Sequence, residues 1–150
     1  MEADDTLEHI LFLARRFDRK RIRHVVIMIL LELHIPTQCS GFELLVMAIV
    51  LCIENPKLIL HSSVFEAVAR MCGGFSAKQV EQAIRRAIDV GWDSGDDAPW
   101  QRYFPPEFGG EYVRPSNMVF VTKIARVVEL WTGCREAYAD TEKEAEVASR

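Results

Sequence analysis

The sequence predicts an all-α fold, a multi-helix domain that contains a helix-turn-helix. Two observations carry this. Apolar residues recur at three- and four-residue spacings through most of the 150 positions, and no run alternates long enough to make a convincing strand. Gly73-Gly74 separates two such amphipathic segments, and glycine enters the left-handed turn conformation cheaply.

Taken in order, residues 1–5 are an acidic end. Leu7, Ile10, Leu11, Ala14 and Phe17 then form a helical stripe. Residues 15–24 (RRFDRKRIRH) set six Lys or Arg groups against Asp18. The pattern continues through Ile22, Val25, Val26, Ile29, Leu30 and Leu33, so one long helix or two joined near Asp18 both fit. Pro36 ends this section, because it cannot continue a helix and restrains Ile35. Thr37 to Gly41 reads as a loop. Phe42 to Glu54 is apolar on nearly every face in its middle, which places that helix centrally in the core. Asn55-Pro56 breaks it. Ser63 and Glu66 have capping-box spacing and open a helix to Cys72.

Ser76 to Trp92 is the best-marked helix. Ser76 and Gln79 form a second capping box, and Phe75 and Val80 hold hydrophobic-staple positions. Val80, Ala83, Ile84, Ala87, Ile88 and Gly91 make one small-to-apolar face. Lys78, Gln79, Gln82, Arg85, Arg86 and Asp89 make the opposite one. Lys, Arg and Gln are the side chains that reach phosphates and base edges in a major groove, so this is the candidate recognition helix. Asp93 to Gly110 is loop with a short helical turn around Trp100 to Phe104. Pro115 suits the first turn of a last helix running to about Trp131, with Phe120, Ile124, Val127, Val128 and Trp131 inward. After Gly133 the chain is charged and small, a solvated helix or a disordered tail. The divisions are a helical extension (1–24), the helix-turn-helix domain (25–132) and a charged tail (133–150).

Composition narrows the function. The chain carries 18 basic and 22 acidic residues and a net charge of −4, so any DNA-binding face must be local. Cys39, Cys52, Cys72 and Cys134 are scattered without C-x-x-C pairing and read as reduced thiols of a cytoplasmic protein. His34 and Cys39 have no second ligand pair, and no metal or other cofactor is expected. No segment reaches the ~20 apolar residues of a membrane span. No carboxylate pair, Ser/His/Asp set or phosphate loop presents itself, which argues against an enzyme.

Three motifs resemble one known family, the C-terminal DNA-binding domain of the stage-zero sporulation response regulator. Its V-P-x-x-x-x-G-[YF] loop matches Ile35-Pro36 through Gly41-Phe42. Its recognition segment S-R-V-E-R-A-I-R-H-A-I-E-V-A-W-x-x-G is similar to Lys78 through Gly95. Its last helix opens K-P-T-N-x-x-F-I-x-x-I-A, where this chain has Arg114-Pro115-Ser116-Asn117, then Phe120-Val121 and Ile124-Ala125. The resemblance covers about residues 25–131. Two recognition-helix arginines of the family fall on Gln79 and Gln82. Before the turn, Arg70 is kept, whereas Met71 and Cys72 are not basic.

The resemblance implies a transcriptional regulator that binds double-stranded DNA. Lys78, Gln79, Gln82, Arg85 and Arg86 would face the groove or its walls, and Glu81 would accept from a cytosine amino group or orient an arginine. Arg114, Ser116 and Asn117 sit at a helix N-terminus that suits a phosphate; Ser116 and Asn117 equally suit simple capping. The family's receiver domain has no counterpart in the helical residues before the match, so a stand-alone effector is expected, with phosphorylation control absent or supplied by a partner. The alternative is a non-catalytic interaction protein that keeps the fold and binds RNA polymerase or another regulator. The Leu7–Phe17 stripe needs a cover, on the domain itself or on a second copy in a homodimer.

Overall fold

The computed structural model describes residues 2–57, 64–106, 110 and 112–133. Among these are six α-helices and no strand: α1 (Glu2–Glu32), α2 (Ser40–Glu54), α3 (Val64–Cys72), α4 (Ala77–Trp92), α5 (Asp97–Tyr103) and α6 (Asn117–Thr132). The expected Ser63 cap and the tail after Gly133 lie outside the described residues.

α1 is one helix of 31 residues, so the chain takes the first of the two alternatives at Asp18. Its end is set two residues before Pro36. His34 takes the left-handed conformation (φ 62°), its N–H donates to Leu31 and the Ile35 N–H donates to Leu30. This is the double bond of a Schellman cap, and Leu30 and Ile35, the positions that make its apolar contact, are both buried.

α2 is the central post. It packs against α1, α3, α4 and α6. Leu45, Val46, Ala48, Ile49 and Cys52 are wholly buried, as its all-round apolar pattern requires. Gly41, in its first turn, lies against α4. A Cβ there would overlap the Ala83 carbonyl oxygen and come within 2.8 Å of the Ala87 Cβ. The glycine of the Ile35–Phe42 motif is therefore a helix-crossing residue, not a loop residue.

α5 ties the C-terminal end of α1 to the rest. The Tyr103 hydroxyl donates to Glu32 at 2.6 Å, and Arg102 pairs with the same carboxylate. Trp100 is fully buried and donates its indole N–H to the Gly91 carbonyl at 3.1 Å. Trp92, the last residue of α4, is half-buried. It stands edge-on to Trp100 (centroids 5.4 Å) and lies against Tyr112 (4.5 Å). Pro115 precedes the Ser116 N-cap of α6 and is not in the first helical turn.

Two outcomes follow. Gly41→Ala should lower stability by about 2 kcal/mol in urea unfolding, because overpacking costs ~1–3 kcal/mol and outweighs the up to ~1 kcal/mol that alanine gains over glycine in a helix. A stabilised variant would show that α2 and α4 are not in this close contact. Burial and the bond to Glu32 push the Tyr103 hydroxyl from 10.0 up to about 12. The folded state holds that proton more tightly than the unfolded chain, so its stabilising contribution is full below the unfolded value and is lost as pH rises through the folded one. Cys52, raised from 9.0 to about 12 by burial and then by Glu129, adds a loss over a similar range. The difference between wild type and Tyr103→Phe in urea midpoint against pH isolates the tyrosine, and the variant should have the flatter alkaline limb.

Candidate nucleic-acid interface

The helix-turn-helix is built from α3, a short turn and α4. Val64, Phe65, Val68 and Ala69 bury the inner face of α3. Gly73 and Gly74 both have left-handed φ, at 62° and 79°, which turns the chain within four residues. The α4 cap is formed as its spacing predicts. The Ser76 hydroxyl accepts from the Gln79 N–H at 3.1 Å, and the Gln79 side-chain oxygen accepts from the Ser76 N–H at 2.9 Å. The staple is half made, for Val80 is buried while Phe75 stays exposed.

Burial divides α4 in two. Val80, Ala83, Ile84, Ala87, Ile88 and Gly91 face the core. Lys78, Gln79, Glu81, Gln82, Arg85 and Arg86 are all exposed. Lys78, Gln82 and Arg85 fall at i, i+4 and i+7, on one stripe. Among the described residues, Lys78, Arg85 and Arg86 join no ion pair, and no side-chain hydrogen bond engages Gln82. Gln79 differs, since its amide oxygen is held by the cap.

The second group, at the start of α6, is tied into the chain. Arg114 pairs with Asp89 and donates to the Arg85 carbonyl at 3.0 Å and the Pro115 carbonyl at 2.7 Å. Asn117 donates from its amide to the Glu81 carbonyl at 2.9 Å. The Ser116 hydroxyl accepts from the Val119 N–H at 3.3 Å. Glu81, Arg85 and Asp89 recur every four residues, so they form one row along the flank of α4, and α6 is lashed to that row. The structure thus brings 114–117 beside the recognition face but occupies all three side chains within the fold. The roles of Asp89 and of the two α4 carbonyls were not read from the sequence. A charged residue at a helical spacing gives no sign that an arginine 25 positions away will seek it.

The basic run before the domain is also partly spent. Arg19 pairs with Glu54 at 2.8 Å and Arg23 with Glu43 at 2.7 Å, which fastens α1 to α2. No helix among the described residues is long and apolar enough to cross a membrane. Of the four cysteines, Cys39, Cys52 and Cys72 are free thiols, and Cys134 lies outside the described residues.

An all-α domain whose second helix-turn-helix helix presents a polar, partly cationic face has the architecture of helix-turn-helix DNA-binding domains. The particular family follows from comparison with family models: residues 26–128 match the one described as sporulation initiation factor Spo0A C terminal, and the chain belongs to that family of DNA-binding domains.

Arg114→Ala should lower stability by about 1–3 kcal/mol, since it removes several charge-assisted hydrogen bonds at a partly buried site. Urea unfolding measures this. A variant as stable as wild type would overturn the clamp and free Arg114 for another role.

Proposed function

We propose that this chain is a sequence-specific transcriptional regulator that reads the major groove of double-stranded DNA with the exposed face of α4. The observation that carries the reading is the division of that helix. Its apolar face is buried to the backbone, and Lys78, Gln82, Arg85 and Arg86 project from a surface the fold does not use. Arg85 and Arg86 have the guanidinium fork that suits guanine, and Gln82 suits adenine. Lys78, next to the capped N-terminus, suits a phosphate. Glu81 would accept from a cytosine amino group or steer an arginine. In this reading Gln79, Arg114, Ser116 and Asn117 set the angle at which α4 meets the groove. Working as a stand-alone effector in the cytoplasm, and self-association through the first half of α1, are parts of the same proposal.

One observation favours the alternative, an interaction protein that engages RNA polymerase or another regulator. Among the described residues five arginines, at 19, 23, 102, 114 and 126, are paired with carboxylates within a chain of net charge −4. Selection of bound fragments from a random DNA pool separates the two. Saturable, sequence-specific binding by the isolated chain is expected. Arg85→Ala or Arg86→Ala should then lose ~1–3 kcal/mol with relaxed preference at one base pair, if the arginine is bidentate to a base. Lys78→Ala should weaken all sequences alike and reduce the salt slope by about one. Gln82→Arg should move the preferred base from adenine toward guanine. A flat curve from protein shown to be folded would decide for the interaction protein.

A further inference from the structure

α1 carries two faces, and only one is used by the domain. The inner face consists of Ile22, Val26, Ile29, Leu30 and Leu33, all buried. A second series runs at alternating three- and four-residue steps along the whole helix. It is Leu7, Ile10, Ala14 and Phe17 in the first half, and Arg21, His24, Met28 and Leu31 in the second. The series keeps heptad spacing, apolar at both ends and interrupted by Arg21 and His24 in its middle. Arg21, His24, Met28 and Leu31 are all exposed, Leu7 is 57% exposed and Ile10 55%. The buried series falls at the other heptad positions, so the domain body sits on the opposite side of the helix and leaves the seam clear. Arg19 and Arg23, drawn to Glu54 and Glu43, also lie off the seam.

The C-terminal end of the seam is not a plain helix surface. Met28 and Leu31 join Tyr103 of α5 and Trp131 of α6 in an open, mainly apolar groove of about 840 Å³. Trp131 is 59% exposed there. Its match is on the same helix. Leu7 and Ile10 are an exposed apolar pair with the same spacing as Met28 and Leu31, at the far end of a rod ~46 Å long by helical rise.

We propose that two copies pair through antiparallel α1 helices, the Leu7–Ile10 end of each seated in the groove of Met28, Leu31 and Trp131 of the other. This rests on the reading of α1 as a self-association helix and adds the direction, the register and the seat. Charge chooses the direction. In a parallel pair Arg21 would meet Arg21 and His24 would meet His24 in the apolar seam. In the antiparallel pair, Leu7 opposite Leu31 places Ile10 opposite Met28, His24 opposite Ala14 and Arg21 opposite Phe17. Arg21 and His24 then meet neither themselves nor each other, and Arg21 shares its layer with Phe17 of the other copy. The arrangement is isologous, so both grooves are filled at once and the pairing closes at two copies. The domain bodies stand on outer faces at opposite ends of the pair.

Light scattering on the full chain after size exclusion tests this. The expected mass is that of two chains at micromolar concentration. Leu7→Glu and Met28→Glu, at the two ends of the seam, should each give the mass of one chain, with helical circular dichroism and thermal melting of the domain retained. Register is read by oxidative cross-linking. Leu7→Cys mixed with Leu31→Cys should form a covalent heterodimer, whereas Leu7→Cys alone should cross-link no more than the unsubstituted chain. A single-chain mass for the unsubstituted protein overturns the pairing. A dimer that survives Leu7→Glu overturns the seat, and self-cross-linking of Leu7→Cys overturns the direction while leaving self-association through α1 intact. None of these measurements involves DNA, so their outcome is separate from that of groove recognition.

Discussion

The close crossing of α2 and α4 at Gly41 is the constraint on which the rest of the structure depends. A helix that reads DNA must hold its outer face at a fixed angle, and rigidity can come only from its inner face. Here the inner face is small where it meets Gly41, at Ala83 and Ala87, and large where it meets the wider core, at Ile84 and Ile88. The two backbones come into direct contact, which leaves little room for tilt. The C-terminal end of α4 is then pinned from below by the Trp100 indole on the Gly91 carbonyl. Its flank is pinned by Arg114 and Asn117. Three elements far apart in sequence converge on one helix, and each takes hold of its backbone, so the outward side chains stay uncommitted.

Much of this was legible from local pattern. The α4 boundaries, its capping box and its buried face follow from i, i+3, i+4 spacing and from Ser76 and Gln79, all local signals that the tertiary structure does not contradict. The central place of α2 follows from its lack of a polar face. The least legible parts were those where partners are distant. Trp92 sits at the helix end, where Tyr112 and Trp100 cover part of it. For Arg114, Ser116 and Asn117 phosphate contact and simple capping were both open, because a helix N-terminus offers free N–H groups. They turn out to be held by Asp89, by two α4 carbonyls and by a cap. Pro36 looked like the stop of α1, but the left-handed His34 ends it earlier, a conformation that a non-glycine residue seldom announces.

The charge distribution explains how an acidic chain can still present a cationic surface. Arginines at 19, 23, 102 and 114 each meet a carboxylate of another element, and these pairs join α1 to α2, α5 to α1 and α6 to α4. They are spent on assembly, and the exposed ones contribute little net energy. What they do is withdraw four cations from the free surface. The outer stripe of α4 carries Lys78, Arg85 and Arg86 with only Glu81 and Asp89 nearby, and Asp89 is itself taken by Arg114. Neutralising Asp89 from the side leaves the stripe more positive than the sequence count suggests. A phosphate backbone approaching this face meets a local field set by three cations, not by the net charge of −4, because screening cuts the reach of the distant acidic groups to about 8–10 Å. In the proposed reading the clamp that sets the angle of α4 also engages Asp89, so that Arg85 and Arg86 would meet the groove with that carboxylate already paired.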